Sequence, residues 1–142
     1  MNHPIKHESI TVHSLSHDGR GIATINKKTT FISGALPGET VNYKITKKHS
    51  HYNEAVAIDI VHASGERALP PCQHFAVCGG CSLQHMSTDI QVQLKQQTLL
   101  DQLKHFGRVV PETMIAPLTA HTLGYRRKAR LGVKFVVKKN KV

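Results

Sequence analysis

Between Glu8 and Val61 the chain alternates apolar and polar residues in short runs that are cut by turn-forming clusters. The pattern predicts strands at Glu8–Leu15, Gly21–Asn26, Thr30–Ile32, Thr40–Thr46 and Tyr52–Val61. His17-Asp18-Gly19, Asn26-Lys27-Lys28 and Gly34-Ala35-Leu36-Pro37-Gly38 separate them, residues that set turn dihedrals or bond locally to the backbone. Five short strands in so little chain predict a small closed barrel of the OB type, because closure removes exposed strand edges. Ala63–Leu69 reads as a linker, stiffened at its end by Pro70-Pro71.

The periodicity then changes twice. Ser87–Phe106 carries Val92, Leu99, Leu103 and Phe106 near helical spacing. Thr88 and Gln91 stand at capping-box distance, Asp89 suits the positive end of the dipole, and Gly107 is a natural stop. The expected place of this helix is against the segment before it, with its apolar stripe inward. From Tyr125 the period is two. Tyr125, Ala129, Leu131, Val133, Phe135 and Val137 share one face, interrupted by Arg127, while Arg126, Lys128, Arg130, Lys134 and Lys138 share the other. The expected architecture is mainly β with one helix (α+β): a barrel at 1–62, a linker at 63–69, a cysteine-rich unit at 70–110 with its helix at 87–106, and the truncated start of a basic β region at 111–142.

Charge sharpens this picture. Net charge is +10, yet Arg126–Lys141 alone holds eight basic residues and no acid. Cations crowded on one strand repel each other unless an anion lies across them, and Lys and Arg are the residues that contact phosphate. Arg126, Lys128, Arg130, Lys134 and Lys138 are therefore candidate RNA contacts. Arg20, Phe31, Tyr43, Lys44, Lys47 and Lys48 offer charge and ring surface on the barrel, and of these Arg20 and Lys44 are the chosen candidates. The eleven histidines stand mostly alone at turns, as His13, His17, His49, His51 and His62 do, and read as surface residues.

Residues 72–86 have little periodicity, so something other than an apolar core has to hold them. Cys72-x5-Cys78-x2-Cys81 is the candidate metal-ligand set, since thiolates are the soft ligands that iron–sulfur clusters and zinc prefer. Gly79 and Gly80 allow a tight loop between two ligands. The set contains no fourth Cys, and His74 or His85 is a candidate to complete a zinc site. Three cysteines leave one unpaired in any disulfide scheme, which favours a reducing cytoplasm. No apolar run approaches the ~20 residues needed to cross a bilayer. No Gly-rich cofactor loop, nucleophile elbow or spare cysteine is present, so no catalytic or cofactor-binding residue is assigned in this chain.

Two blocks carry a resemblance: Arg67-Ala-Leu-Pro-Pro-Cys72-x5-Cys78-Gly79-Gly80-Cys81-Ser-Leu-Gln84-His85-Met86, and Gly124-Tyr125-Arg126-Arg127-Lys128-Ala129-Arg130-Leu131-Gly132. Together with Leu36-Pro37-Gly38-Glu39 they resemble the N-terminal third of bacterial RNA uracil-C5 methyltransferases, particularly those acting on 23S ribosomal RNA. Residues 8–62 are similar to the TRAM domain of that family. The resemblance implies that Cys72, Cys78 and Cys81 join a fourth, downstream Cys around a [4Fe–4S] cluster. It also implies ribosomal RNA as partner and S-adenosylmethionine as methyl donor to the full-length enzyme. The family's catalytic Cys adds to carbon 6 of a flipped-out uracil so that carbon 5 takes the methyl group. That Cys, the base and the cofactor domain are expected outside this chain, which alone is expected to be inactive. The alternative is a standalone zinc-containing nucleic-acid-binding protein.

Overall fold

A computed structural model describes residues 8–130, 132 and 135. The strands are β1 (Ser9–Thr11), β2 (Ser14–Leu15), β3 (Gly21–Ile25), β4 (Lys28–Ser33), β5 (Thr40–Lys48) and β6 (Tyr52–His62). Each of the five strands predicted between Glu8 and Val61 is present, but the first is divided in two. The segment pairs with β5 through Ser9–Thr11 and with β3 through Ser14–Leu15, and Val12 between them is fully buried.

Six strands form one sheet in the order β1-β5-β6-β4-β3-β2, all antiparallel except β4 with β6. The expected five-stranded closed barrel is thus replaced by an open six-stranded sheet, since no ladder joins β1 to β2. The two edge strands are nevertheless neighbours in sequence. In a flat sheet they would stand about 24 Å apart, at ~4.8 Å per strand. The stretch from Thr11 to Ser14 spans at most ~10 Å, so the sheet must roll. Register shifts in the β5–β6 ladder at Thr40/Val41, Asn42/Tyr43 and Ile45/Lys47 help, because bulges bend the strand that carries them.

The rolled sheet encloses Val12, Ala23, Ile32, Ala35, Val41 and Ala55, with Ile10, Tyr43, Ala57 and Ile60 around them. Three alanines among six core residues show how little space the roll leaves. At Gly21 a methyl group would lie 2.8 Å from Val12 Cγ1 and 2.9 Å from the Ala35 carbonyl oxygen, so only glycine fits. Asn26 and Lys27, both with positive φ (50° and 62°), form the two-residue turn joining β3 to β4. That geometry matches the right-handed twist of a hairpin.

A charged cluster lies inside. Glu39 is 0% exposed and accepts hydrogen bonds from four donors: Leu36 N–H (2.8 Å), Ser64 N–H (3.2 Å), Arg67 Nε (2.5 Å) and Arg67 Nη2 (2.7 Å). Arg67 Nη2 also reaches the Gly34 carbonyl at 2.8 Å. Burial pushes the Glu39 carboxyl up, but Arg67 and the two backbone N–H groups outweigh it, and the group titrates below its ordinary value. The segment expected to be a linker is therefore anchored. Beside it, Ala68 N–H bonds to the His85 carbonyl, Ser87 N–H bonds to the Glu66 carbonyl, and Arg67 bridges Met86.

Helix α1 (Thr88–Gln102) is followed by a π-helical turn, Leu103–Gly107. Ser87, not Thr88, occupies the N-cap, and its hydroxyl bonds to Glu66. Gln91 does not close a capping box; its amide donates to the carbonyls of Leu83 and Met86. The apolar stripe also differs from expectation. No residue of α1 is buried, Leu99 and Phe106 are exposed, and Ile90, Leu94 and Gln97 line a cleft with Leu15, Leu36, Pro37 and Met86. Packing has thus selected a different helix face from the one that spacing suggests.

A second unit begins at Thr113. Its described residues are exposed and contain no strand, so the basic strand expected from Tyr125 is not formed at Tyr125–Arg130. The physical reason is the lack, among the described residues, of a neighbour to satisfy its backbone N–H and C=O groups.

Removing Arg67 would leave a buried carboxylate without its charge partner. Arg67→Ala is expected to lower stability by about 3 kcal/mol or more. Adding Glu39→Gln should restore part of that loss, because a neutral amide then replaces the unpaired charge; chemical denaturation of both variants checks this. The Glu39 contribution is complete above its unfolded carboxyl value near 4.5 and disappears as pH falls through the lower folded value. Wild-type melting should therefore drop more steeply with acid than that of the Glu39→Gln variant.

Candidate nucleic-acid interface and thiolate loop

Strand alternation divides the sheet residues between the core and an outward face. On β3, β4 and β6 the residues Gly21, Ala23, Ile25, Thr30, Ile32, Asn53 and Ala55 are buried, which turns Ile22, Phe31, Tyr52, Glu54 and Val56 outward. The register lays Ile22 opposite Phe31, Phe31 opposite Glu54, and Glu54 opposite Lys47, a row crossing four strands. Lys44 stands opposite Val56 on the same face and is exposed.

Flat groups sit side by side on that face. Arg20 Cζ lies 4.7 Å from the centroid of the Phe31 ring. Phe31 meets Tyr52 edge to face at 5.6 Å, and Tyr52 stacks on His49 at 4.2 Å with 19° between the ring planes. Asp18 holds the edge of the Arg20 guanidinium, with Nε and Nη2 at 2.9 and 2.8 Å from Oδ2. Burial works against the charged form of Asp18, yet hydrogen bonds from Arg20 and Ser16 prevail and its carboxyl titrates below the ordinary value. Lys28 Nζ bonds to the His49 carbonyl at 2.6 Å, and His49 Nε2 lies 3.3 Å from Glu54.

Arg20, Phe31, Lys44 and Lys47, expected on the barrel surface, lie on this face; Tyr52 and His49 join them there without having been singled out from the sequence. Tyr43, expected among the surface rings, packs instead against the core and donates its hydroxyl to Glu8 at 3.0 Å. The available signal for Tyr52 is its odd-even phase within β6. Its meeting with Phe31 depends on the parallel β4–β6 pairing, which no local pattern encodes.

Cys72, Cys78 and Cys81 lie on a loop of turns, all free and exposed. Gln84 joins the two ends of that loop: its Oε1 accepts from Cys72 N–H (3.3 Å) and its Nε2 donates to Cys81 Sγ (3.1 Å). Gly80 N–H points at Cys78 Sγ, 3.4 Å away. Gly19, with φ +86°, approaches the loop from the sheet: a methyl group there would stand 2.8 Å from Leu83 Cδ2. Among the described residues no three His, Cys, Asp or Glu side chains gather into a metal site. His74 is exposed beside Gln73, while His85 is 2% exposed, packs on Phe75 at 5.2 Å and has no partner for either ring nitrogen among the described residues. Burial, reinforced by the charge of Arg67 and opposed by Glu39, holds the His85 pKa below its ordinary value, so the ring is neutral at pH 7.

Arg126, Lys128 and Arg130 are exposed, with Arg126 Cζ 5.9 Å from the Tyr125 ring. Lys134 and Lys138 lie outside the described residues. Among the described residues, no helix is long and apolar enough to cross a membrane.

Residues 6–58 match the TRAM domain family model. That stretch is similar to a TRAM domain. Over 131 residues the chain is 55% identical to the 23S rRNA (uracil(1939)-C(5))-methyltransferase RlmD of Francisella tularensis subsp. novicida, covering 91% of this chain and 29% of that protein. The RlmD of Alcanivorax borkumensis is 54% identical over 129 residues, and that of Legionella pneumophila 52% over 126. The chain spans only about 29% of the length of these relatives, at their N-terminal end. The TRAM match takes in β1–β5 and most of β6, so the outward face of rings and cations lies within the matched stretch and the cysteine loop beyond it.

With nothing bound, the exposed thiols should react readily. Cys72, Cys78 and Cys81 should each be alkylated by iodoacetamide in folded protein stripped of metal by a chelator, as mass mapping of the peptides would reveal. Gln84→Ala, by freeing the loop ends, should speed labelling of Cys81 in particular.

Proposed function

We propose that this chain is the RNA-binding N-terminal portion of an S-adenosylmethionine-dependent 23S rRNA (uracil-C5)-methyltransferase, without methyl-transfer activity of its own. The observation that carries this is the identity of 52–55% to proteins bearing that name, spread over both the TRAM domain and the cysteine segment. The TRAM domain adds a face of cations and rings, which is equipment for holding RNA. The basic run from Arg126 adds a second cationic stretch, with Lys134 and Lys138 continuing it in sequence. Ribosomal RNA is the partner, and a reducing cytoplasm suits three unpaired thiols.

Cys72, Cys78 and Cys81 would hold an iron–sulfur cluster. The donor chemistry fits: three free thiols on one short loop, with N–H groups of Gly80 and Gln84 directed at two of the sulfurs. Binding has to draw the three sulfurs together and recruit a fourth ligand. A cluster would cross-link a segment that has almost no apolar core of its own. Its role here is structural, and the methyl-transfer step belongs to residues outside this chain.

Mixed with ribosomal RNA and radiolabelled S-adenosylmethionine, the purified chain should transfer no methyl group; turnover would refute the assignment of chemistry to another part of the protein. Its affinity for ribosomal RNA should fall steeply with salt. Replacing Arg126, Lys128 and Arg130 together by alanine should flatten that dependence by up to three phosphate contacts, and an unchanged slope would remove these residues from the interface.

A further inference from the structure

We propose that the outward face of β3, β4 and β6 is a stacking ledge for an unpaired stretch of RNA, with Arg20, Phe31, Tyr52 and His49 contacting bases and Lys44 and Lys47 contacting phosphates. This deepens the RNA-binding reading and rests on it. The ledge is continuous: guanidinium on ring, ring against ring, ring on imidazole, at 4.7, 5.6 and 4.2 Å. All four side chains are half-buried, covering one another while leaving planar surface at the sheet exterior. A sheet face that only meets water is adequately served by threonine and lysine, and gains little from four π groups in line.

The geometry favours a single strand over a duplex. Bases within a duplex have both faces covered by stacking, whereas splayed bases can lie on aromatic side chains or on the plane of an arginine. Asp18 occupies the edge of the Arg20 guanidinium through Nε and Nη2, so what Arg20 offers a ligand is its plane. The cations are displaced to one side. Lys47 lies beyond Glu54 in the row that starts at Ile22 and Phe31, and Lys44 lies opposite Val56. The row crosses about 14 Å at the spacing of strands, enough for bases to rest near β4 while their phosphates run along β5. This separation of planar groups from cations matches the two parts of a nucleotide.

The test uses the full chain and three fluorescein-labelled probes: an oligouridine, a mixed-sequence single strand carrying 2-aminopurine, and a duplex of equal length. The wild type should bind the single strands more tightly than the duplex and should quench 2-aminopurine as the base stacks. Phe31→Ile and Tyr52→Ile keep an apolar β-former in each strand, and each should weaken single-strand binding by roughly tenfold and abolish the quenching. Their salt dependence should equal that of the wild type, whereas Lys44→Gln with Lys47→Gln should lower it. Wild-type binding with no quenching, or with preference for the duplex, would overturn the ledge while leaving RNA binding intact, and that outcome needs no variant to fold. Failure of the folded wild type to bind any of the probes or ribosomal RNA would overturn both readings.

Discussion

A carboxylate sealed inside a protein cannot be left unpaired, and the organisation from Leu36 to Met86 follows from that constraint. Glu39 sits at the start of β5 with no exposed surface, and the partner that neutralises it, Arg67, arrives from 28 residues downstream. β6 ends close by, because His62 pairs with Thr40, and the few residues that follow carry Arg67 to Glu39 and to the Gly34 carbonyl. Ser64 N–H completes the set of donors, fixing the path of the segment before Arg67 gets there. Once Arg67 is in place, the backbone on either side of it pairs with residues 85–87, and His85 and Met86 become buried. The entry and exit of the cysteine loop are thereby tied to the sheet by one ion pair and a few backbone bonds.

The two regions joined in this way are stabilised by different means. The sheet rolls around a core of small and β-branched residues, and its outward face is released from packing and carries rings and cations instead. The cysteine loop has Gln84 across its mouth, N–H groups facing two sulfurs, and few buried side chains. Such a loop gains order from ligands more readily than from burial, which is consistent with its cysteines being exposed and unpaired. The neutral His85, pressed against Phe75 beneath it, contributes packing at the cost of two unpartnered nitrogens. The free energy of such groups is unfavourable.

The relation to the much longer RlmD proteins gives this arrangement a context. In them the matching stretch is the first 29% or so of the polypeptide. The outward face of rings and cations and the cysteine loop anchored beside it both fall within that matching stretch.

Local information along the chain is enough to place the strands, the turn at Asn26-Lys27, the single helix, and the candidate chemistry at Cys72, Cys78, Cys81, Arg20 and Lys44. These depend on alternation, on dihedral preferences and on side-chain type, all of which act between near neighbours. Other features exist only once the chain has folded: the switch of partner at Val12, the parallel pairing that brings Phe31 to Tyr52, and the meeting of Glu39 with Arg67. The turning of Ile90 and Leu94 toward the cleft beside Leu36 and Met86, with Leu99 exposed, belongs with them. So does the absence of a strand at Tyr125–Arg130, since alternating residues need a second backbone to bond with. Pairing energies arise between residues far apart along the chain, and a one-dimensional pattern records the faces available for pairing but not which faces meet.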